Sequence, residues 1–212
     1  MEPTGEIVIH NALGVCSAEA DTRLMARLSA EYAPAGGRVL DLGTGTGYIA
    51  IYLAQRGFVV EAVDISERAL QIAGENAARN GVQVRLYRSD LFSDVRGAFD
   101  LIAFNPPMNP DETELTRLIT SFLRRRRFIA NLLMGMADRF LTRSRMGFLL
   151  QFIEQARRRL TAGGFIVLEL RRPEADELPQ HIPDIELLRR EDIPGMRSEQ
   201  IVVLRLRGET PA

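Results

Sequence analysis

The 212 residues are 46% hydrophobic and 26% charged, with 28 acidic against 27 basic side chains and a net charge of −1. That length supports one α/β domain with a full core rather than two. The near-neutral balance excludes a global attraction to nucleic acid or anionic membrane. Cys16 is the only cysteine and His10 and His181 the only histidines, which excludes a disulfide framework and a Cys- or His-based metal cluster. Cys16 is read as a small apolar core residue. No apolar run approaches the roughly 20 residues that span a bilayer. Met1 to His10 lacks a basic start followed by an apolar core, so the expectation is a cytoplasmic protein. Every basic residue is arginine, which a GC-rich genome explains through codon usage and a demand for guanidinium forks explains through chemistry.

Residues 6–15 are moderately apolar, and Ser17 to Tyr32 read as a helix with Leu24, Met25, Leu28 and Tyr32 at helical spacing. Pro34 to Gly37 mark a turn. A first strand at Arg38–Leu42 then runs into Gly43-Thr44-Gly45-Thr46-Gly47, followed by a helix over about 46–56. Strand, glycine turn and helix in succession form the first unit of a nucleotide-binding α/β sheet. The dehydrogenase spacing G-x-G-x-x-G would need a small residue at position 48, where this chain has Tyr48.

Phe58 to Val63 read as a second strand ending in Asp64, with Ser66 as N-cap of a helix through Asn80. Val82 to Tyr87 form a third strand before Asp90, and Phe99 to Phe104 a fourth that meets Asn105-Pro106-Pro107-Met108. In the proline-free segment Asp111 to Leu160, Leu118, Phe122, Ile129, Leu132, Met136 and Phe140 fit one helix face, interrupted by Arg124 to Arg127. Thr161 to Gly164 turn the chain into a fifth strand, Phe165–Leu170; two more lie near Ile185–Arg189 and Ile201–Leu206. The expected fold is a Rossmann-like α/β domain over 1–212: seven strands, mostly parallel, helices on both faces and an antiparallel last strand. Residues 1–37 form its N-terminal helical segment and 109–146 a helical lid inserted after strand four.

Asp41, Asp64 and Asp90 fall at the carboxyl ends of successive strands, where open α/β sheets bind ligands. A carboxylate after the second strand suits the two hydroxyls of a ribose, and Asp90 lies where an adenine edge would be read. The Asn105 side-chain oxygen and the Pro106 carbonyl each accept one N–H bond. Together they fix the plane of an NH₂ group whose lone pair is otherwise delocalised, and the prolines hold them rigid.

From Val39 to Leu170, and most strongly at Asp41–Gly47, Asp64 and Asn105–Pro107, the chain resembles the class I S-adenosylmethionine-dependent methyltransferases. Within them it is similar to the branch with an Asn-Pro-Pro-(aromatic) motif. That branch holds the HemK-like release-factor glutamine methyltransferases and many adenine and guanine amino-methyltransferases. The resemblance implies S-adenosyl-L-methionine as cofactor, leaving as S-adenosyl-L-homocysteine. Gly43, Gly45 and Gly47 would face its methionine part, Asp64 its ribose, and Asp90 with Leu91 its adenine. Asp41, Thr44 and Ile65 complete the implied cofactor set, and Asn105, Pro106 and Pro107 the catalytic turn that addresses the target nitrogen.

Met108 stands where the family has an aromatic, so it offers apolar contact without a flat face for a flipped base. That favours an amide, guanidinium or amino nitrogen of a small molecule, peptide or protein side chain over a nucleobase. A base amino group and a protein glutamine are the alternatives, with a nicotinamide oxidoreductase or a non-catalytic cofactor-binding subunit further off. Ala20-Asp21-Thr22 faintly resembles the Pro-Glu-Thr stretch of the glutamine methyltransferases. Of the arginine run, Arg125 or Arg126 falls on or beside the apolar stripe, either as a solvated face or over the site, with Arg143 and Arg145 extending the patch. If the run binds an anionic substrate group, replacing Arg125 and Arg126 raises the substrate KM and leaves cofactor affinity unchanged; steady-state kinetics with cofactor titration check this.

Overall fold

Residues 7–10, 20–106 and 145–207 are described in the computed structural model. In chain order the elements are α1 (Ala20–Tyr32), β1 (Arg38–Leu42), α2 (Tyr48–Ala54), β2 (Val59–Asp64), α3 (Glu67–Arg79), β3 (Arg85–Arg88) and β4 (Phe99–Phe104). Then come helical residues 145–157 (α4), β5 (Leu160–Arg171), α5 (Arg172–His181), β6 (Ile185–Asp192) and β7 (Glu199–Leu206). The expected insertion at 109–146, with Arg125, Arg126 and Arg143, lies outside the described residues except for its last two positions, and so do Pro107 and Met108 before it. So does Cys16.

The seven strands form one sheet in the order β3-β2-β1-β4-β5-β7-β6. The first five are parallel and β7 runs antiparallel to both neighbours. Alternation along each strand splits the core in two. Leu40, Leu42, Ile102, Phe104, Ile166 and Leu168 pack on the side that holds Leu149 and Phe152 of α4 and Leu178 of α5. Val39, Ala62, Leu101, Ala103, Val167 and Val203 pack on the side of Met25 and Leu28 of α1 and Ile49 and Leu53 of α2. From β1 the chain steps outward to β2 and β3, then returns to place β4 on the other side of β1. The switch point therefore lies between β1 and β4.

Three elements differ from the sequence reading, each for a local reason. β3 begins at Arg85 rather than Val82, because the Val82 N–H bonds back to the Ala77 carbonyl and the Gly81 N–H to Ala78. With Gly81 at φ 65°, those bonds close α3 in a Schellman motif and withhold Val82 from the sheet. Thr161 to Gly164 are not a turn before β5 but a bulge within it. The register passes from Phe99↔Leu160 to Leu101↔Phe165, so a two-residue step on β4 spans five on β5. Helix α5 was not anticipated, since it contains Pro173 and Pro179. Pro173 sits in its first turn, where proline is tolerated. Pro179 has no N–H for the Ala175 carbonyl, and Arg190 Nη2 donates there instead at 3.1 Å.

Residues 7–10 are held against α3 by two asparagines acting as backbone substitutes. Asn80 exchanges bonds with Val8 N–H and C=O at 3.0 and 2.8 Å, and Asn76 with those of His10 at 2.8 and 3.2 Å. Asn76, fully buried, also donates to the Thr46 carbonyl at 2.9 Å. Asn76→Ala leaves that carbonyl unpaired, and we expect it to lower unfolding free energy by about 2 kcal/mol. A fall in the urea midpoint with unchanged slope is the expected reading.

Candidate active site

The loop after β1 adopts a path suited to glycine, with φ of 71°, 55° and 85° at Gly43, Gly45 and Gly47. A Cβ on Gly47 would stand 3.0 Å from the Cβ of Ala73, so the residue also lets α3 approach. Gly43 and Thr44 N–H donate to the Val63 carbonyl at 2.8 and 3.0 Å, which ties the loop to β2. Asp41 is buried beneath it; its Oδ2 accepts the Thr44 hydroxyl at 2.6 Å and the Ala50 N–H at 3.2 Å. Burial pushes the Asp41 carboxyl up to about 6, the two hydrogen bonds pull against it, and the Asp64 charge adds to the rise.

Asp64 accepts the Gly45 N–H on Oδ2 at 3.0 Å and the Ser66 N–H on Oδ1 at 2.9 Å, so the acid is oriented while each oxygen keeps a free lone pair. Ser66 Oγ caps α3 by accepting the Ala69 N–H, as its position in the sequence predicts. Ile65 presents an apolar side chain, 57% exposed. After β3, Leu91 has φ 47°, a left-handed conformation uncommon for its type, and Ser89 Oγ donates to its carbonyl at 2.7 Å. Asp90 beside it is exposed.

Asn105 follows β4, and the register Leu42↔Phe104 makes it the neighbour of Gly43 across the switch point. Its Nδ2 donates to Asp21 Oδ2 on α1 at 2.9 Å, across 84 positions of sequence. Glu169 is the neighbour of Asn105 on the adjacent strand β5, close enough for the amide to act on its carboxyl. It is 3% exposed and lies one residue beyond Leu168, the register partner of Phe104. Burial, then repulsion from Asp21 and Glu199, push the Glu169 carboxyl up to about 7, while Arg145 and Asn105 hold it down.

Arg145 corrects the sequence reading. It does not extend the basic patch of the arginine run: it is buried and paired with the buried Glu174 at 2.8 Å. Burial presses its pKa downward and Glu174 opposes that. Glu174 also accepts the Arg171 N–H at 2.8 Å, so the pair anchors the start of α4 to the start of α5.

The described part of the expected set thus gathers at the carboxyl ends of four adjacent strands. Asp41, Gly43, Thr44, Gly45 and Gly47 follow β1, Asp64 and Ile65 β2, Asp90 and Leu91 β3, and Asn105 and Pro106 β4. Sequence reasoning missed Glu169. Its signal was a carboxylate inside the otherwise apolar run Phe165–Leu170, where burial demands a partner. Among the described residues no group of three His, Cys, Asp or Glu could hold a metal, and no helix is long and apolar enough to cross a membrane.

Sheet order, glycine loop at the switch point, acid after β2 and Asn-Pro after β4 define a Rossmann-like domain of the methyltransferase class. A family model described as "Methyltransferase small domain" matches residues 6–129, and the chain belongs to that family. It is 42% identical over 84 residues to ribosomal RNA small subunit methyltransferase C of Alcanivorax borkumensis, a match spanning 40% of this chain and 26% of the relative. It is 43% identical over 81 residues to release factor glutamine methyltransferase of Streptococcus pneumoniae, spanning 36% and 29%. The chain therefore matches about a quarter to a third of these relatives' lengths. In fold it is similar to ribosomal protein L11 methylase of Lactobacillus delbrueckii subsp. bulgaricus, with TM-score 0.64 and 22% identity over 92% of this chain and 83% of that one. A methyltransferase of Pyrococcus furiosus has TM-score 0.64 and 16% identity over 95% and 89%.

Asp41 and Glu169 keep their protons to higher pH in the folded chain than in the unfolded one. The folded state thus binds more protons between about pH 4 and pH 7, and these groups' contribution to stability falls as pH rises through that window. Relative to Glu169→Gln, the wild type is expected to lose stability between pH 5 and pH 8. Urea midpoints at the two pH values check this, and parallel changes in both proteins would refute it.

Proposed function

We propose that the chain is an S-adenosylmethionine-dependent N-methyltransferase that modifies an amide or amino nitrogen. The observation that supports this most directly is the adjacency of the glycine loop and Asn105 across the β1/β4 switch point. On this reading the adjacency puts the cofactor crevice beside an acceptor pair for an N–H group. The residues present suit the cofactor. Gly43 to Gly47, with Asp41 and Thr44 beneath, leave room for its methionine part. Asp64 has a free lone pair on each oxygen for the two ribose hydroxyls, Ile65 and Leu91 offer apolar contact to adenine, and Asp90 an acceptor at its edge. The sulfonium supplies an activated methyl. Asn105 and the Pro106 carbonyl orient the nitrogen, and Pro107 restricts the turn. No strong base is demanded, because the proton leaves a nitrogen made acidic by the new N–C bond.

For the acceptor we propose a small molecule or peptide, with Met108 as apolar contact and Arg125 and Arg126 as ligands for an anionic group. A second reading, the amino group of an RNA base, is favoured by the identity to the ribosomal RNA relative. Transfer of labelled methyl from S-adenosylmethionine into a fractionated extract of the source organism tests both. Label in the small-molecule or peptide fraction is expected, and Asn105→Ala should lower the rate about a hundredfold with cofactor affinity retained. Label in RNA, with binding steeply weakened by salt, would replace the first reading by the second. No label in any fraction would overturn the enzymatic reading.

A further inference from the structure

We propose that Asp21 and Glu169 are positioning residues that clamp the Asn105 amide, so that only its Oδ1 faces the acceptor. This rests on the methyltransferase reading and extends it to two residues from elements outside the catalytic turn. An asparagine side chain rotates between two amide orientations that differ little in shape, and the torsion is soft. One orientation offers Oδ1 to the acceptor and the other offers Nδ2. Only the first accepts a target N–H. Partners decide between them, since an ionised carboxylate accepts hydrogen bonds and does not donate.

Asn105 has such partners on two elements. Nδ2 donates to Asp21 Oδ2 at 2.9 Å, and the buried Glu169 carboxyl lies beside the same side chain on β5. The amide nitrogen has two hydrogens, one for Asp21 and a second available to Glu169. Rotating the amide by half a turn would break the bond to Asp21 and set its oxygen against two acids. The clamp is itself oriented: the Thr22 hydroxyl donates to Asp21 Oδ1 at 3.4 Å, leaving Oδ2 for Asn105. Glu169 sits in a central strand, where burying a carboxylate is unfavourable, and the groups that act on it most are Asp21 from α1, Arg145 from α4, Glu199 from β7 and Asn105 after β4. A chain stop after β4 has no use for that arrangement. One consequence is selectivity: nitrogen without hydrogen, or a carboxylate oxygen, meets an acceptor that repels it.

The test is side-chain NMR of protein labelled with ¹⁵N-asparagine, read together with kinetics. The Asn105 amide pair is assigned by its absence in Asn105→Ser. In the wild type the pair should move between pH 5 and pH 8 as Glu169 ionises. In Glu169→Gln that movement should vanish, and in Asp21→Asn the pair should shift at every pH. On the acceptor fraction that takes up label, each variant should lose about tenfold or more in kcat with S-adenosylmethionine affinity unchanged, and Asp21→Glu should recover more than Asp21→Asn. Far-ultraviolet dichroism confirms that each variant is folded. An Asn105 pair indifferent to both variants, in a protein that transfers methyl, would overturn the clamp alone. The expected shifts without transfer into any fraction would overturn the methyltransferase reading, and the clamp's role with it.

Discussion

The pairing of Leu42 with Phe104 in the parallel β1–β4 ladder is the constraint on which the rest depends. Because the chain leaves β1 for one side of the sheet and returns to the other, no crossover helix separates the ends of these two strands. Gly43 and Asn105 are consequently neighbours, though they are far apart in sequence. A register slip of one residue would turn Asp41 from the α1–α2 side to the opposite side and bring the apolar set of β1 with it. The two-sided core, with Leu40, Leu42, Ile102 and Phe104 on one side and Val39, Leu101 and Ala103 on the other, forbids that slip. Packing thus fixes the distance between the loop and the asparagine before any ligand arrives.

Burial opposes the ionisation of two acids in the crevice, Asp41 and Glu169. Asp41 is held under the glycine loop by two donors on a single oxygen, and Glu169 stands in the middle of the sheet. Arg145, paired with Glu174, holds the Glu169 carboxyl down from the first turn of α4. The ion pair thus links the last residues of the insertion to the strand that carries Glu169. Such pairs contribute little net stability, and losing one partner is costly. Their usual return is a defined geometry.

Sequence legibility followed punctuation. β1 and β4 match their expected bounds because a glycine turn and an Asn-Pro turn end them. β3 was read three residues early because alternation at Val82 and Val84 carries no record of the Schellman bonds that engage Val82. The prolines of α5 concealed a helix whose missing donor comes from Arg190 on a strand formed later in the chain. In the site, Asp41, Asp64, Asp90 and Asn105 were legible from their places after strands. The faint likeness at Ala20-Asp21-Thr22 drew notice to Asp21, but its bond to Asn105 joins residues that only the folded chain brings together. Arg145 was misread for the same reason, since a cation near a run of cations looks solvated until its burial is known.

The cations of this chain being arginines, its outer charges do not titrate in the range where cells operate. Two of the exterior acids that meet them are held down as well: Glu186, gripped by Arg207 and Arg205, to about 2, and Asp184 by Arg157. Among the described residues the carboxyls raised toward neutrality are Asp41 and Glu169, beside the glycine loop and Asn105. On the proposed reading, a change of acidity near neutrality is therefore felt where methyl donor and nitrogen meet.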